Sequence, residues 1–213
     1  MDTPRDWLLL SLLILLWSPA QALELSIRVL DNQGQPLADA VVYAQPGTAI
    51  KFDPPPAVMD QQHKSFVPHV LAVPQGTSVS FPNTDAVNHY VYSFSPAKSF
   101  QFKLFKKDLS EHRMVFDKPG LVTLGCNIHD FMLAYIFVAP SPYVGVSDAA
   151  GQIQLQIPVE GDYSLHLWHE LADEDLEALT QKIHLPTERN QRVIQLRQKL
   201  QSPRLMHPEV EDY

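Results

Sequence analysis

Residues 120–139 read GLVTLGCNIHDFMLAYIFVA. Leu121 to Cys126 and Met132 to Ala139 are short, apolar, β-branched and aromatic runs of the kind that forms buried strands. Between them a tight loop sets a thiol, Cys126, an imidazole, His129, and a thioether, Met132, within seven residues. Two strands closing on a loop of this composition point to a β-sheet scaffold that presents soft donor atoms at one end.

Working outward, the flanking sequence keeps to short strands and turns. Upstream, Phe66 to Val73, Ser78 to Phe81, His89 to Phe94, Phe100 to Phe105 and Arg113 to Phe116 read as strands. They are punctuated by Gln75-Gly76, Pro82-Asn83-Thr84-Asp85 and Lys118-Pro119-Gly120. Seven or more such strands predict an all-β sandwich, and the 18 prolines suit it better than a helical bundle. Before this unit, Leu25 to Leu30 and Ala40 to Ala44 are strands around the turn at residues 31–34, and residues 46–56 are a Pro- and Gly-rich boundary. After it come Gln152 to Ile157, Tyr163 to Trp168, Gln181 to Leu185 and Arg192 to Leu196. Asp173 to Leu179 is compatible with one or two helical turns. Periodicity leaves Arg189 to Leu200 open between strand and helix.

The chemistry centres on Cys126, His129 and Met132, with His89 placed 37 residues upstream of the cysteine, just after the PNTD turn. Thiolate and thioether are soft ligands that favour copper, and two histidines, a thiolate and a weak axial methionine form an electron-transfer copper site. Each residue has a plainer reading. Cys126 alone would be a buried core thiol, Met132 core filling, and His89 a hydrogen-bonded structural histidine. A zinc site would use Cys and His but gives Met132 no role. Met59, His63 and His69 offer material for a second metal site, or His69 a place near the copper. His63 and His69 are six apart and share a strand face only if Pro68 leaves the strand straight. His112, His166, His169, His184 and His207 read as surface or structural histidines.

With these residues stated, the segment from about Phe66 to Pro140 resembles a cupredoxin of the plastocyanin and amicyanin group. The resemblance rests on C-x-x-H-x-x-M at Cys126, His129 and Met132, on VPQGTSVSFPN at 73–83, on His89, and on FDKPG before the cysteine strand. It implies a Greek-key β-sandwich holding one type 1 copper ion. Cys126, His89 and His129 would be equatorial ligands and Met132 the axial one. His129 would be the electron port through an apolar patch supplied by Phe131, Leu133 and Pro142. Asn88 and Asn127 are the expected residues tying the ligand loops. Relatives carry asparagine directly after the first histidine, whereas Tyr90 follows His89 here, and Asp130 stands where proline is common.

The flanking runs DNQGQPLADAVVYA at 31–44 and SDAAGQIQLQIPVEGDYSLHLWHE at 147–170 resemble a transthyretin-like, carboxypeptidase-regulatory-like β-sandwich. The whole chain is similar to the periplasmic group called methylamine utilisation proteins. The expected organisation is a signal peptide at 1–22, first strands of the transthyretin-like sandwich at 23–50, the copper domain at 58–140, the remaining strands at 146–200, and a flexible tail at 201–213. The copper domain is then an insertion. The rival arrangement packs a short N-terminal strand pair on the copper domain and leaves a separate C-terminal domain.

The composition narrows the function classes. A formal net charge of -8 without a basic stripe argues against a nucleic-acid partner. The apolar run from Trp7 to Trp17 followed by Ala20-Gln21-Ala22 reads as a cleavable secretory leader, with an uncleaved anchor as the alternative, and predicts a periplasmic protein with no membrane span in its mature form. A single cysteine in an oxidising compartment calls for protection, which a metal supplies. There is no nucleophile elbow, P-loop or H-E-x-x-H, so no enzyme is expected. The expected function is one-electron transport by a monomer to a redox protein such as a c-type cytochrome or periplasmic dehydrogenase. The acidic balance favours a basic one. Copper binding, storage or delivery is the alternative, and a structural or adhesive module is a third.

Overall fold

The computed structural model describes residues 23–109, 112–186 and 190–202. The expected leader, most of the expected tail and His207 lie outside these residues. The chain is all-β: apart from one 3-10 turn at Leu176–Leu179, every regular element among the described residues is a strand.

β1 (Leu23–Leu30) and β2 (Val41–Pro46) open the chain. Asp31 shapes the turn after β1, its Oδ1 accepting the N–H of Gln33 and of Gln35, both at 2.8 Å. The Pro-rich boundary carries no strand until β3 (Ala57–Val58). β4 (Asp60–Gln62) and β5 (Ser65–Val67) form a small hairpin. β6 (Val70–Pro74), β7 (Thr77–Ser80), β8 (His89–Ser95), β9 (Lys98–Leu104), β10 (Arg113–Phe116), β11 (Gly120–Cys126) and β12 (Leu133–Ala139) follow. β13 (Tyr143–Val146), β14 (Gln152–Ile157), β15 (Gly161–Trp168), β16 (Gln181–Leu185) and β17 (Gln191–Gln195) complete the chain. The run left open between strand and helix is therefore strand at β17, because it pairs in parallel with β1. The strand-like run from Phe66 to Val73 is broken at Pro68 and His69 into β5 and β6, so the condition for His63 and His69 to share a strand face is not met.

Two apolar clusters organise these strands. One joins Leu25, Ile27 and Val29 with Leu155, Leu165, Leu185 and Ile194, residues from both ends of the sequence. Its sheets run β14-β1-β17 and β13-β2-β15-β16. In β14 the glutamines are exposed while Ile153, Leu155 and Ile157 are buried, the period-two pattern of a half-buried strand. Gly151, at φ +72°, makes the turn into β14. A Cβ there would collide with the Val29 carbonyl oxygen.

The second cluster uses only residues 59–138. Its main sheet runs β6-β12-β11-β8-β9, faced by β10-β7-β3. Phe81 is fully buried between them, with Phe100, Phe102 and Phe116 at ring separations of 5.4–6.4 Å. Fully burying such a side chain contributes about 1.5–3 kcal/mol.

The two cores meet through aromatic rings. On β12, Ala134, Ile136 and Val138 point into the second core, which turns Tyr135 and Phe137 outward. Trp168 of β15 takes both, at 5.3 and 5.7 Å, and Tyr43 of β2 stacks on His166 and reaches Phe137. His69 closes the joint, its Nε2 2.8 Å from Glu170 Oε1 and its ring edge-on to Tyr135. His69 thus serves the junction and does not join the group formed by His89, Cys126 and His129.

His169 is buried beside this joint, and burial pushes its pKa down against the opposing pull of Glu170 and Asp39, with His69 adding to the depression. Its Nδ1 accepts the Leu171 N–H at 3.2 Å, a bond that protonation of that nitrogen would break. The unfolded chain takes up this proton near pH 6.5 and the folded chain only lower. Stability contributed by neutral His169 is therefore whole above about pH 6.5 and lost as the pH falls toward the folded value. Thermal unfolding of the metal-free protein at about pH 7 and about pH 5 will show a drop in Tm, and His169→Gln will show a smaller one. Equal drops would assign the acid sensitivity elsewhere.

Candidate metal centre

The site is assembled at one end of the second sandwich by three segments. The first is the loop between β7 and β8. Asn83 is fully buried there, its Nδ2 donating to the carbonyls of Val87 and Phe105 at 2.9 and 2.8 Å, while its Oδ1 accepts the Asp85 N–H at 3.0 Å. Asp60 of β4 braces the same loop by accepting from the Thr84 N–H and hydroxyl.

The second segment is the β4–β5 turn. His63 and Lys64 both adopt positive φ, at 51° and 56°, as a two-residue hairpin turn of mirror-image type requires. This presents the Lys64 N–H to Asp85 Oδ2 at 2.7 Å. The same oxygen lies 3.2 Å from His89 Nε2, and Asp85 Oδ1 accepts the Ala86 N–H. Although burial pushes its carboxyl pKa upward, the N–H donors and the His89 ring outweigh that and hold it below the usual range.

His89 begins β8 and is fully buried. Burial lowers its pKa, against the pull of Asp85. The neutral ring keeps its proton on Nε2, facing the carboxylate, and leaves the Nδ1 lone pair facing inward. Nδ1 lies 3.8 Å from Cys126 Sγ.

The third segment is the loop after β11. Cys126 is 2% exposed, and its Sγ accepts the Tyr90 N–H at 3.5 Å. The Asn127 N–H returns to the Tyr90 carbonyl at 3.0 Å. Two turns then follow, with the His129 N–H bonding the Cys126 carbonyl and the Met132 N–H bonding the His129 carbonyl. They bring His129 Nδ1 to 3.6 Å from Cys126 Sγ. The two imidazole rings are 5.0 Å apart. Gly125 precedes the cysteine because Tyr92 lies over it: a Cβ would sit 2.5 Å from the ring.

His89, Cys126 and His129 thus gather with their donor atoms within 4.8 Å of one another, and they are the one such group among the described residues. Met132 is buried in the same apolar cluster as Cys126. Met59 is fully buried in that cluster too, while His63 is exposed on its turn and His69 is bonded to Glu170, so these three are not brought together. His112 stacks on Phe102, and His184 meets Asp162 on the surface.

Several supporting roles differ from the expected ones. Asn88 Oδ1 accepts the Lys106 N–H, tying the end of β9 to the start of β8, and the Asn127 side chain is exposed. The cysteine and first-histidine segments are joined by backbone groups of Tyr90 and Asn127 instead. Asp85, Asn83 and Asp60 were not anticipated. The only clue was Asp85, four residues before His89 within the PNTD turn. The apolar surface beside His129 is Ile128 and Phe131, exposed by 55% and 70%. Leu133 is half-buried in β12, and Pro142 lies beyond the far end of that strand.

No protein-family model and no curated protein matches the chain. Among solved structures, a purple cupredoxin from Nitrosopumilus maritimus is 23% identical, covering 39% of this chain and 99% of that one with a TM-score of 0.35. A Cu(I) amicyanin mutant is 21% identical, covering 38% and 80%, with a TM-score of 0.34. A copper-containing nitrite reductase from Thermus scotoductus is 26% identical over 52% of this chain and 28% of that one, with a TM-score of 0.37.

Proposed function

We propose that this chain is an exported mononuclear copper protein that carries one electron at a time between redox partners, with His89, Cys126, His129 and Met132 as its ligands. The convergence of two imidazole nitrogens on one buried thiol is the observation that carries this reading. Donors about 2.0–2.1 Å (nitrogen) and about 2.3 Å (sulfur) from one first-row metal, at angles of about 110–120°, lie about 3.6–3.8 Å apart. The observed separations from Sγ are 3.6 and 3.8 Å. The Met132 thioether, buried in the same cluster as the thiol, favours copper over zinc.

Bound copper supplies a Cu(I)/Cu(II) couple. The residues around it prepare the site. Asp85 keeps the His89 proton on Nε2. The Tyr90 N–H stabilises negative charge on Cys126 Sγ. Burial keeps water and oxidants from the thiol. His129, half-buried between exposed apolar side chains, is the route to a partner.

We read residues 58–140 as a unit inserted into a second, transthyretin-like sandwich made of residues 23–50 and 146–200, with the two separate apolar clusters in support. Among the described residues no helix is long and apolar enough to cross a membrane. The periplasmic assignment rests on the leader-like first 22 residues and on the lone cysteine.

Titration of the chain from Leu23 with Cu(II) tests the function. An intense thiolate-to-copper absorption band saturating at one equivalent, with narrow copper hyperfine splitting in the electron paramagnetic resonance spectrum, is the expected result. A weak band with several equivalents bound would make copper storage or delivery the better reading, and no binding would end both.

A further inference from the structure

We propose that the surface around His129 docks an acidic redox protein, although the chain itself is acidic. This rests on the electron-transfer reading above and concerns which partner that site accepts. The net charge of -8 predicts a basic partner only if charge is spread evenly. It is not.

The segment after Phe102 reads Lys103, Leu104, Phe105, Lys106, Lys107. Leu104 is buried opposite His89, and the other four are exposed. Two bonds hold this segment against the candidate site: the Lys106 N–H bonds Asn88 and the Lys107 N–H bonds the Asp85 carbonyl. Lys103 stands opposite Tyr90 in the sheet, and the Tyr90 carbonyl accepts the Asn127 N–H. Three exposed lysines therefore lie on a segment bound to the start of β8, the same strand start to which the loop exposing Ile128 and Phe131 is bonded. Lys103 Nζ lies 5.0 Å from the centre of the Phe105 ring, itself 59% exposed. Asp130 is the exposed carboxylate on the cysteine loop itself. Asp85 keeps its charge but turns both oxygens inward, to the backbone N–H groups of Lys64 and Ala86 and to His89 Nε2.

Asp108 follows Lys107 and faces His112 at 3.7 Å. A larger acidic run lies elsewhere, in the β15–β16 connection at Asp173, Glu174, Asp175 and Glu177. Glu174 there accepts the N–H groups of Arg197 and Gln198, and Asp175 caps the 3-10 turn. An apolar centre bordered on one side by three lysines matches a partner whose apolar contact carries carboxylates on the facing side, because encounter is steered by the local field more than by net charge.

The test compares electron transfer from the copper(I) form to two c-type cytochromes, one acidic and one basic, across ionic strength. The expected result is a faster reaction with the acidic cytochrome, slowed by salt. Reversing the rim in Lys103→Glu/Lys106→Glu/Lys107→Glu should slow it about tenfold or more. The same charge change at Lys51, Lys182 and Lys199 should leave it nearly unaltered. A faster reaction with the basic cytochrome, or equal effects of both triple variants, overturns the proposal.

A second readout does not need redox activity. Amide shifts of the full chain from Leu23, copper(I)-loaded or metal-free, should move at residues 103–107 and 127–131 when the acidic cytochrome is added. Those shifts without electron transfer would keep the docking surface and remove the redox reading. A blue band with shifts scattered elsewhere would do the reverse. Sedimentation of the protein alone showing self-association that the rim variant abolishes would replace the outside partner with a second copy and overturn the proposal.

Discussion

Cys126→Ser abolishes the thiolate-to-copper band and lowers Cu(I) affinity by more than about 100-fold, beyond the losses typical of outer-sphere changes. A serine hydroxyl is neither soft nor ionised near neutral pH, so the site loses both the charge and the polarisability that favour copper. The fold should survive. Serine has the same shape as cysteine with a slightly smaller terminal atom, and the Tyr90 N–H that donates to Sγ remains to satisfy it. His89 and His129 still face each other in the variant, so weak Cu(II) binding with a histidine-only spectrum is expected. Absorption and electron paramagnetic resonance spectra at one equivalent check this, with far-ultraviolet circular dichroism for the fold. An intact band in the serine variant would remove Cys126 from the ligand set.

Asp85→Asn should cost about 10–100-fold in copper affinity while leaving the fold in place. The asparagine oxygen can still accept from Lys64 or Ala86, whose N–H groups hold the loop. What changes is the partner of His89 Nε2. A carboxylate only accepts, so it holds the proton on Nε2 and leaves Nδ1 free to ligate. An amide can present its NH2 instead, which places the ring proton on Nδ1, on the side of Cys126. Competition against a chelator of known affinity measures the loss. Unchanged affinity and an unchanged spectrum would show that packing around the fully buried ring, not the carboxylate, orients His89.

The strands were legible where alternation was clean. Gln152–Ile157, Gln181–Leu185 and Arg113–Phe116 lie where their patterns put them. β3 and β4 were not legible, since two or three residues carry no period, and neither was β13, which has only Tyr143 buried. The loop from Cys126 to Met132 was legible because its donors are close in sequence. His89 was legible as a histidine starting a strand after a turn.

The supporting residues were not legible because their partners are distant in sequence. Asp85 meets Lys64 across 21 residues and Asp60 meets Thr84 across 24. The aromatic joint unites Tyr43, Tyr135, Phe137 and Trp168, each of which reads locally as an ordinary strand residue. The amino-acid sequence by itself determined that the chain is all-β and which donor atoms it brings to one loop, because strand period and loop chemistry are local properties. Only the tertiary structure decided which carboxylate sets the first histidine, which rings join the two cores, and which charges border the exposed loop. Those depend on strand register and on the packing of segments that the linear order keeps apart.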